Sequence, residues 1–527
     1  MREEDDCGEP GGLAFDAARP LREGVACVAP THRDRRRPAW RRWLAAIAVA
    51  LLAGCDASRP GPPPTVIVML ADTLRGDRVA GTLDVTPFLD AFATEGVTYT
   101  RAYSTSSWTI PAVASLFTSR YPSQHGATRF GAPLAASETT LATQLRAAGY
   151  LTATFSSSLL LVPSLGLSHG CDTVEIVPSS EFTRGSGSAA DVNKAALRWL
   201  DRRSLADRDR PVFLYLHYMD PHVPYHTRPE YLEPRLLRHD DPGVARALVQ
   251  RASQRLDDML RNTSAPGFNS AKNASALSNS APGLRDLYDA QVGYMDDQLR
   301  PLFAALRARG LLDNSIVVFT ADHGEEIFEH GRYGHGGTLY EEVVRVPLLV
   351  WDSAGTRGRV DAPVSLVDVA PTVLDRVGLP VPSVFVGQQL PGMPRRAGGL
   401  RAWLRQRLGG DHDAPGRNTA FAELYPHEAY RVGAAANEAP LRAVVLPQWK
   451  LITDPPRGAD RVFDLVADAG ERKALQSIAA PPALRGALTG FVGATEAAAE
   501  LAAPAPAPKR NLDETTRERL RALGYAP

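Results

Sequence analysis

The chain has 527 residues, of which 44% are hydrophobic, an ordinary fraction for a globular protein and enough for a large core. Lys plus Arg and Asp plus Glu both number 59, so the formal net charge is zero. That balance argues against a bulk electrostatic partner: no nucleic acid is expected, while a local pocket for a small anion stays open.

The first element is a leader. Arg33, Arg35, Arg36, Arg37, Arg41 and Arg42 precede the apolar run WLAAIAVALLAGC, which ends at Cys55. A basic stretch before a short apolar run reads as an export signal. The run is too short to span a bilayer, which takes roughly 20 apolar residues. Leu52-Ala53-Gly54-Cys55 resembles the bacterial lipobox, in which the Cys becomes the lipidated first residue of the mature chain; an ordinary signal peptide with a chance Cys is the plainer alternative. The lipobox resemblance implies an exported bacterial lipoprotein, held at the membrane by a lipid anchor on Cys55. Asp56 is similar to an inner-membrane retention signal, which sets the expected location at the periplasmic face of the inner membrane. Residues 1–32, with Glu3, Glu4, Asp5 and Asp6, have the wrong charge for a signal, and translation is expected to start at Val25 or Val28. Cys55→Ala should move the protein from the membrane pellet to the soluble fraction; unchanged pelleting would remove the anchor. With Cys55 lipidated, Cys171 has no partner for an intramolecular disulfide, so the core alone must supply stability.

The expected organisation is an extension and signal over 1–55, a Pro-rich tether over 56–64, a catalytic domain over 65–395 and a C-terminal subdomain with a terminal helix over 396–527. Apolar β-branched runs at 65–70, 211–218, 315–322 and 346–351, with LTATFSS between the first two, predict buried strands of a largely parallel sheet. Helical patterns alternate with them: TPFLDAFATEG, TLATQLRAAG closed by Gly149, DVNKAALRWLDRR, and LYDAQVGYMDDQLRPLFAALRARG closed by Gly310. Alternation of this kind predicts an α/β doubly wound fold. Residues 262–283, small, polar and aperiodic, read as a flexible insertion. LRAVVLPQWKLI and RVFDLVAD predict antiparallel strands of the C-terminal subdomain, and LDETTRERLRALGY a last helix with Asp513 as N-cap.

In a doubly wound sheet, sites form at the carboxyl ends of strands. Just past those ends stand Asp72 and Thr73, then His217, Asp220 and His222, then Asp322, His323 and His335. One Asp there is usually a helix cap; agreement among several strand ends points to a metal or an anion. In SSWTIPAVASLFTSRYPSQHG, Pro111 suits a first helical turn, which puts Thr109 just before a helix N-terminus. The plain reading is a cap. The sharper one is a metal-activated hydroxyl attacking a tetrahedral oxyanion, held where free N–H groups favour negative charge.

The blocks LADTLRGD, TIPAVASLFTSRYPSQHG, HYMDPHVPY, FTADHGEE and GHGGTLYEEVVRVP together resemble the sulfatase family of the alkaline phosphatase superfamily. That resemblance implies an alkaline-phosphatase-like α/β fold with a smaller antiparallel C-terminal part, and an ester hydrolase acting on a small anionic ester. It implies Asp72, Asp322 and His323 as ligands of one divalent metal ion, with Thr109 as nucleophile and further ligand. His222 resembles the family's substrate-contacting His, and His335 falls where a Lys or His lies near the scissile oxygen. Oxygens plus one imidazole suit Ca, Mg, Mn or Zn alike. The departures are informative. Sulfatases proper oxidise a Cys or Ser to formylglycine, which the methyl on the Thr109 β-carbon forbids. Val113 stands at the signature Arg, and Thr73 replaces the second acid of the first block. A Thr nucleophile is similar to the superfamily's phosphoglycerol and phosphoethanolamine transferases, which form a phospho-enzyme. Phosphate esters are therefore the first expectation, sulfate esters hydrolysed without formylglycine the second, and a weakly active binding lipoprotein the third.

Overall fold

The computed structural model describes residues 62–501 apart from 82, 130–131, 179–186, 262–277, 395–417, 427–438, 456–457 and 476–480. Cys55 with its apolar run, tether residues 56–61, most of the expected insertion and the expected helix at Asp513 lie outside the described residues. No helix among the described residues is long and apolar enough to cross a membrane.

The main sheet is built from β1 (Thr65–Ala71), β2 (Val97–Tyr103), β3 (Leu151–Ser156), β4 (Thr173–Ile176), β5 (Val212–Tyr218) and β6 (Ser315–Thr320). A hairpin, β7 (Glu326–Ile327) and β8 (Tyr333–Gly334), separates these from β9 (Arg345–Asp352), β10 (Gly358–Val360) and β11 (Val364–Ser365). The order across the sheet is β10-β2-β9-β6-β1-β5-β3-β4, with β11 also on β2. β9 runs antiparallel to both neighbours and the other pairs are parallel. The apolar runs thus mark buried strands, and β1, β5 and β6 have no exposed residue. Burial on both faces carries no directional information, so the reversal of β9 does not show in its sequence. β2 was not expected. Its alternation is broken by a register shift between Tyr99 and Ala102, which erases the two-residue period.

Helices Pro87–Glu95, Leu141–Ala147, Ala189–Asp201 and Ala281–Ala308 flank the sheet. The last begins inside the stretch read as an insertion: Pro282 sits in its first turn, and Leu284 and Leu287 are already buried. Asp296 on that helix accepts the Phe88 and Leu89 amides at 2.8 Å and so caps Pro87–Glu95 from outside.

The C-terminal part is an antiparallel sheet of β12 (Ala420–Leu424), β13 (Leu441–Val445), β14 (Trp449–Thr453) and β15 (Arg461–Asp464), in that order. Helix Pro482–Leu501 covers it through Leu484, packed on Val444, Leu451 and Val462. Phe491 of this helix stacks on Phe421 and meets Tyr121 edge-on, 4.7 Å between centroids. The Glu423 amide donates to the Thr105 carbonyl at 2.8 Å, so β12 braces the segment leading to Thr109.

Candidate active site

β1 lies between β5 and β6, and the three parallel carboxyl ends open on the same side. Asp72 follows β1 with its amide tied to the Tyr218 carbonyl at 2.8 Å. Thr73 then adopts φ 62°, a conformation that a β-branched residue enters only under strain, at a cost of about 1–3 kcal/mol. The strained turn aims the Thr73 amide at Asp322 Oδ1, 3.3 Å away, and the His323 amide donates to the same oxygen at 2.9 Å. Both carboxylates and the imidazole are fully buried.

One ligating atom from each of Asp72, Asp322 and His323 lies within 4.8 Å of the others. Asp72 Oδ1 and Asp322 Oδ2 have no hydrogen-bond partner. His323 Nδ1–H donates to the Gly324 carbonyl at 3.0 Å, which turns the lone pair of Nε2 toward Asp322 Oδ2 at 3.3 Å and Asp72 Oδ1 at 3.7 Å. Burial, together with the Asp72 charge, pushes the Asp322 carboxyl up to about 7. Burial would raise Asp72 too, but the imidazoles of His222, His217 and His323 outweigh it and hold Asp72 below the usual carboxylate range. Two acids that ionise together only at a cost, two orphaned oxygens and a lone pair aimed between them are what a divalent cation relieves, so these residues fit the expected metal.

Thr109 is the first residue of helix Thr109–Thr118, and Trp108 holds the N-cap position. The capping reading therefore fails: no side chain caps this helix, and the Thr109 side chain turns into the site instead. Its Oγ1 lies 3.3 Å from His323 Nε2 and 3.5 Å from Asp72 Oδ2. Pro111 lacks an N–H, which leaves the amides of Thr109 and Ile110 as the helix's free donors. Val113, at the family's Arg position, is buried in the apolar core.

Three further imidazoles complete the cluster. His217 lies inside β5 rather than past its end; its Nε2 is 3.2 Å from Asp72 Oδ2 and its Nδ1 2.7 Å from the Tyr215 hydroxyl. The sequence singled out His217 only as one of several strand-end residues and gave it no role toward Asp72. His222 is buried, with Nδ1–H donating to the Val223 carbonyl, and burial holds it neutral below its ordinary pKa. It also lines a small cleft with Ser188, Met219, Asp220 and His226. The His335 ring sits 5.1 Å from that of His222 and 4.5 Å from that of His323. Burial lowers His335 to about 4, and its Nδ1 pairs at 2.9 Å with Glu325 Oε1, a fully buried carboxyl that burial pushes up to about 7. Glu325 was legible only as part of FTADHGEE; nothing in the spacing assigns it to His335. All six expected residues, Asp72, Thr109, His222, Asp322, His323 and His335, thus gather at the same strand ends.

An α/β sheet with acids, imidazoles and a hydroxyl gathered at its strand ends is the arrangement of an ester hydrolase of the alkaline phosphatase superfamily. The sulfatase family model matches residues 64–379, and the chain belongs to that family. Among its relatives, the N-acetylglucosamine-6-O-sulfatase of Bacteroides thetaiotaomicron is 25% identical over 419 residues, covering 66% of this chain and 73% of that protein. The choline-sulfatase of Rhizobium meliloti is 24% identical over 485 residues, 81% of this chain and 85% of its own. Among solved structures, the phosphonate monoester hydrolase of Agrobacterium radiobacter superposes with a TM-score of 0.61 at 22% identity, over 82% of this chain and 95% of that one.

Proposed function

We propose that the chain is a metal-dependent hydrolase or transferase of phosphate or phosphonate esters, with Thr109 as its nucleophile. The observation that carries this reading is the Thr109 hydroxyl, uncapped and buried, within 3.5 Å of both Asp72 and His323. Asp72, Asp322, His323 and Thr109 would hold one divalent ion, Ca, Mg, Mn or Zn, which when bound lowers the pKa of a hydroxyl beside it and offsets the charge of the acids.

With its proton passed to Asp72 Oδ2, the acceptor 3.5 Å away, Thr109 Oγ1 attacks phosphorus while the bond from phosphorus to the ester oxygen breaks. The amides of Thr109 and Ile110 would donate to the charged non-bridging oxygens on that phosphorus. The departing oxygen needs a proton. When Glu325 carries one and donates it to His335 Nδ1, the Nε2 of that ring bears the hydrogen and can donate it. The neutral His222 ring, with Nδ1–H held by Val223, presents a lone pair at Nε2 instead. It is suited to take the proton of the water or alcohol that next displaces Thr109 from phosphorus. His335→Gln should therefore cost about 10²–10⁴-fold with an alkyl ester, whose oxygen must be protonated, and far less with a nitrophenyl ester. Equal losses on the two leaving groups would remove the general-acid role.

The sulfatase relatives favour a second reading, sulfate ester hydrolysis through the same unmodified Thr109. A screen of nitrophenyl phosphate, phosphodiester, phosphonate and sulfate esters in each of the four metals separates the two. Turnover of phosphorus esters at rates well above the sulfate ester supports the first reading; the reverse order establishes the second.

A further inference from the structure

The β7–β8 hairpin pairs Glu326 with Gly334 and Ile327 with Tyr333, so Glu325 and His335 stand at its base. At its tip is a second group of ligating side chains that the ester chemistry does not use. His330 there faces Glu342, from the short helix Glu341–Val344, and Glu471, from the segment after β15. One ligating atom from each lies within 4.8 Å of the others, the spread of donors about 2.0–2.4 Å from one ion. Glu342 Oε1, on a side chain only 5% exposed, accepts no hydrogen bond; His330 Nε2 is 3.5 Å from it and makes none either. Glu471 is fully buried; its Oε2 takes the Glu341 amide at 2.6 Å.

The charges do not balance. Lys450, fully buried, is shared between Glu341 Oε1 at 3.1 Å and Glu471 Oε1 at 3.0 Å. Glu326 Oε1 accepts the backbone amides of His330 and Arg332, and among the described residues no Lys or Arg side chain pairs with Glu326 or with Glu342, whose Oε1 has His330 Nε2 at 3.5 Å. Arg461 is engaged by the Tyr340 hydroxyl and lies 3.8 Å from Asp454. Burying carboxylates without a cation is costly. The imidazole is also held in place: its backbone amide donates to Glu326 Oε1 at 3.1 Å, and its ring stacks on Tyr340 with centroids 3.6 Å apart.

We propose that His330, Glu342 and Glu471 form a second divalent-cation site, separate from the one at the strand ends. One imidazole with two carboxylates suits a first-row ion such as Zn²⁺ or Mn²⁺. The ion joins the hairpin tip to the C-terminal subdomain and thereby fixes the hairpin whose base carries the Glu325–His335 pair.

The test counts metal. The full chain, Asp72→Ala, Glu342→Gln, His330→Gln and the combination Asp72→Ala with Glu342→Gln are stripped with chelator. Each is then loaded with Zn²⁺, or separately with Mn²⁺, desalted and measured by elemental analysis, with circular dichroism to confirm folding. Asp72→Ala should keep one equivalent, which adding Glu342→Gln removes. Glu342→Gln and His330→Gln alone should each lose one equivalent relative to the parent chain. The rise in melting temperature that the ion gives Asp72→Ala should vanish in the combined variant. Unchanged metal content in folded Glu342→Gln and His330→Gln, with either ion, overturns the proposal. Unchanged content in Asp72→Ala would instead count against the strand-end site, so the two failures are distinguishable.

Discussion

Thr109→Ala should lose turnover of the best substrate by roughly 10³–10⁶-fold, the range that removal of an attacking group gives. The fold should survive, because the substitution deletes a hydroxyl and a methyl at the first turn of a helix whose N-cap is Trp108. The hydroxyl makes no capping bond, so the helix loses no terminal partner. Ala also has the higher helix propensity, which offsets part of the small packing loss. Thr109→Ser is the informative companion. It keeps the oxygen beside Asp72 and His323 and frees χ1, which the β-branched Thr holds fixed. Serine should therefore retain measurable activity, reduced by the looser aim of its oxygen. Steady-state rates with matched circular dichroism and melting curves check both variants. Thr109→Ala with an unaltered rate would reduce the hydroxyl to packing.

The grouping of these acids and imidazoles was more legible than several elements of the scaffold around them, for a physical reason. Chemistry at parallel strand ends needs acids and imidazoles immediately after apolar runs, and LADTLRGD and FTADHGEE display that juxtaposition along the chain itself. Elements whose identity depends on distant contacts did not show. β2 hides behind its register shift, and β9 has the same apolar sequence whichever way it runs. The start of Ala281–Ala308 was lost because small residues and Pro282 look like a loop until Leu284 and Leu287 are seen to be buried. Inside the site the same division holds. Thr109 was placed by Pro111 two residues on, a local signal. His217 belongs to Asp72 only because Leu70 and His217 are register partners in adjacent strands. Glu325 acquires its meaning from a hairpin that folds His335 back over it.

Asp322→Asn should separate stability from activity. In the metal-free protein Asp322 is a buried acid beside a second buried acid, and burial with the Asp72 charge pushes it up to about 7. Oδ1 already accepts the amides of Thr73 and His323, and Asn can keep both bonds with its carbonyl oxygen. The other oxygen, Oδ2, has no hydrogen-bond partner and lies 3.3 Å from His323 Nε2. That nitrogen carries a lone pair, since Nδ1–H is given to Gly324. An amide NH₂ at the Oδ2 position would donate to it, replacing an orphaned acceptor with a made bond and removing a like-charge contact. In chelator above about pH 7, where the Asp322 carboxyl is ionised, Asp322→Asn should thus be more stable than the parent chain, by about 1–3 kcal/mol, and the gain should shrink as pH falls below that value. With metal present the order should reverse. The variant offers a neutral oxygen in place of an anionic ligand, binds the cation weakly, gains little melting temperature from it and loses most of its turnover. Melting curves of both chains, with and without the best metal, read the crossing directly. Asp322→Asn melting below the parent chain in chelator, with metal response and activity intact, would mean that Asp322 is structural and that no cation binds beside it.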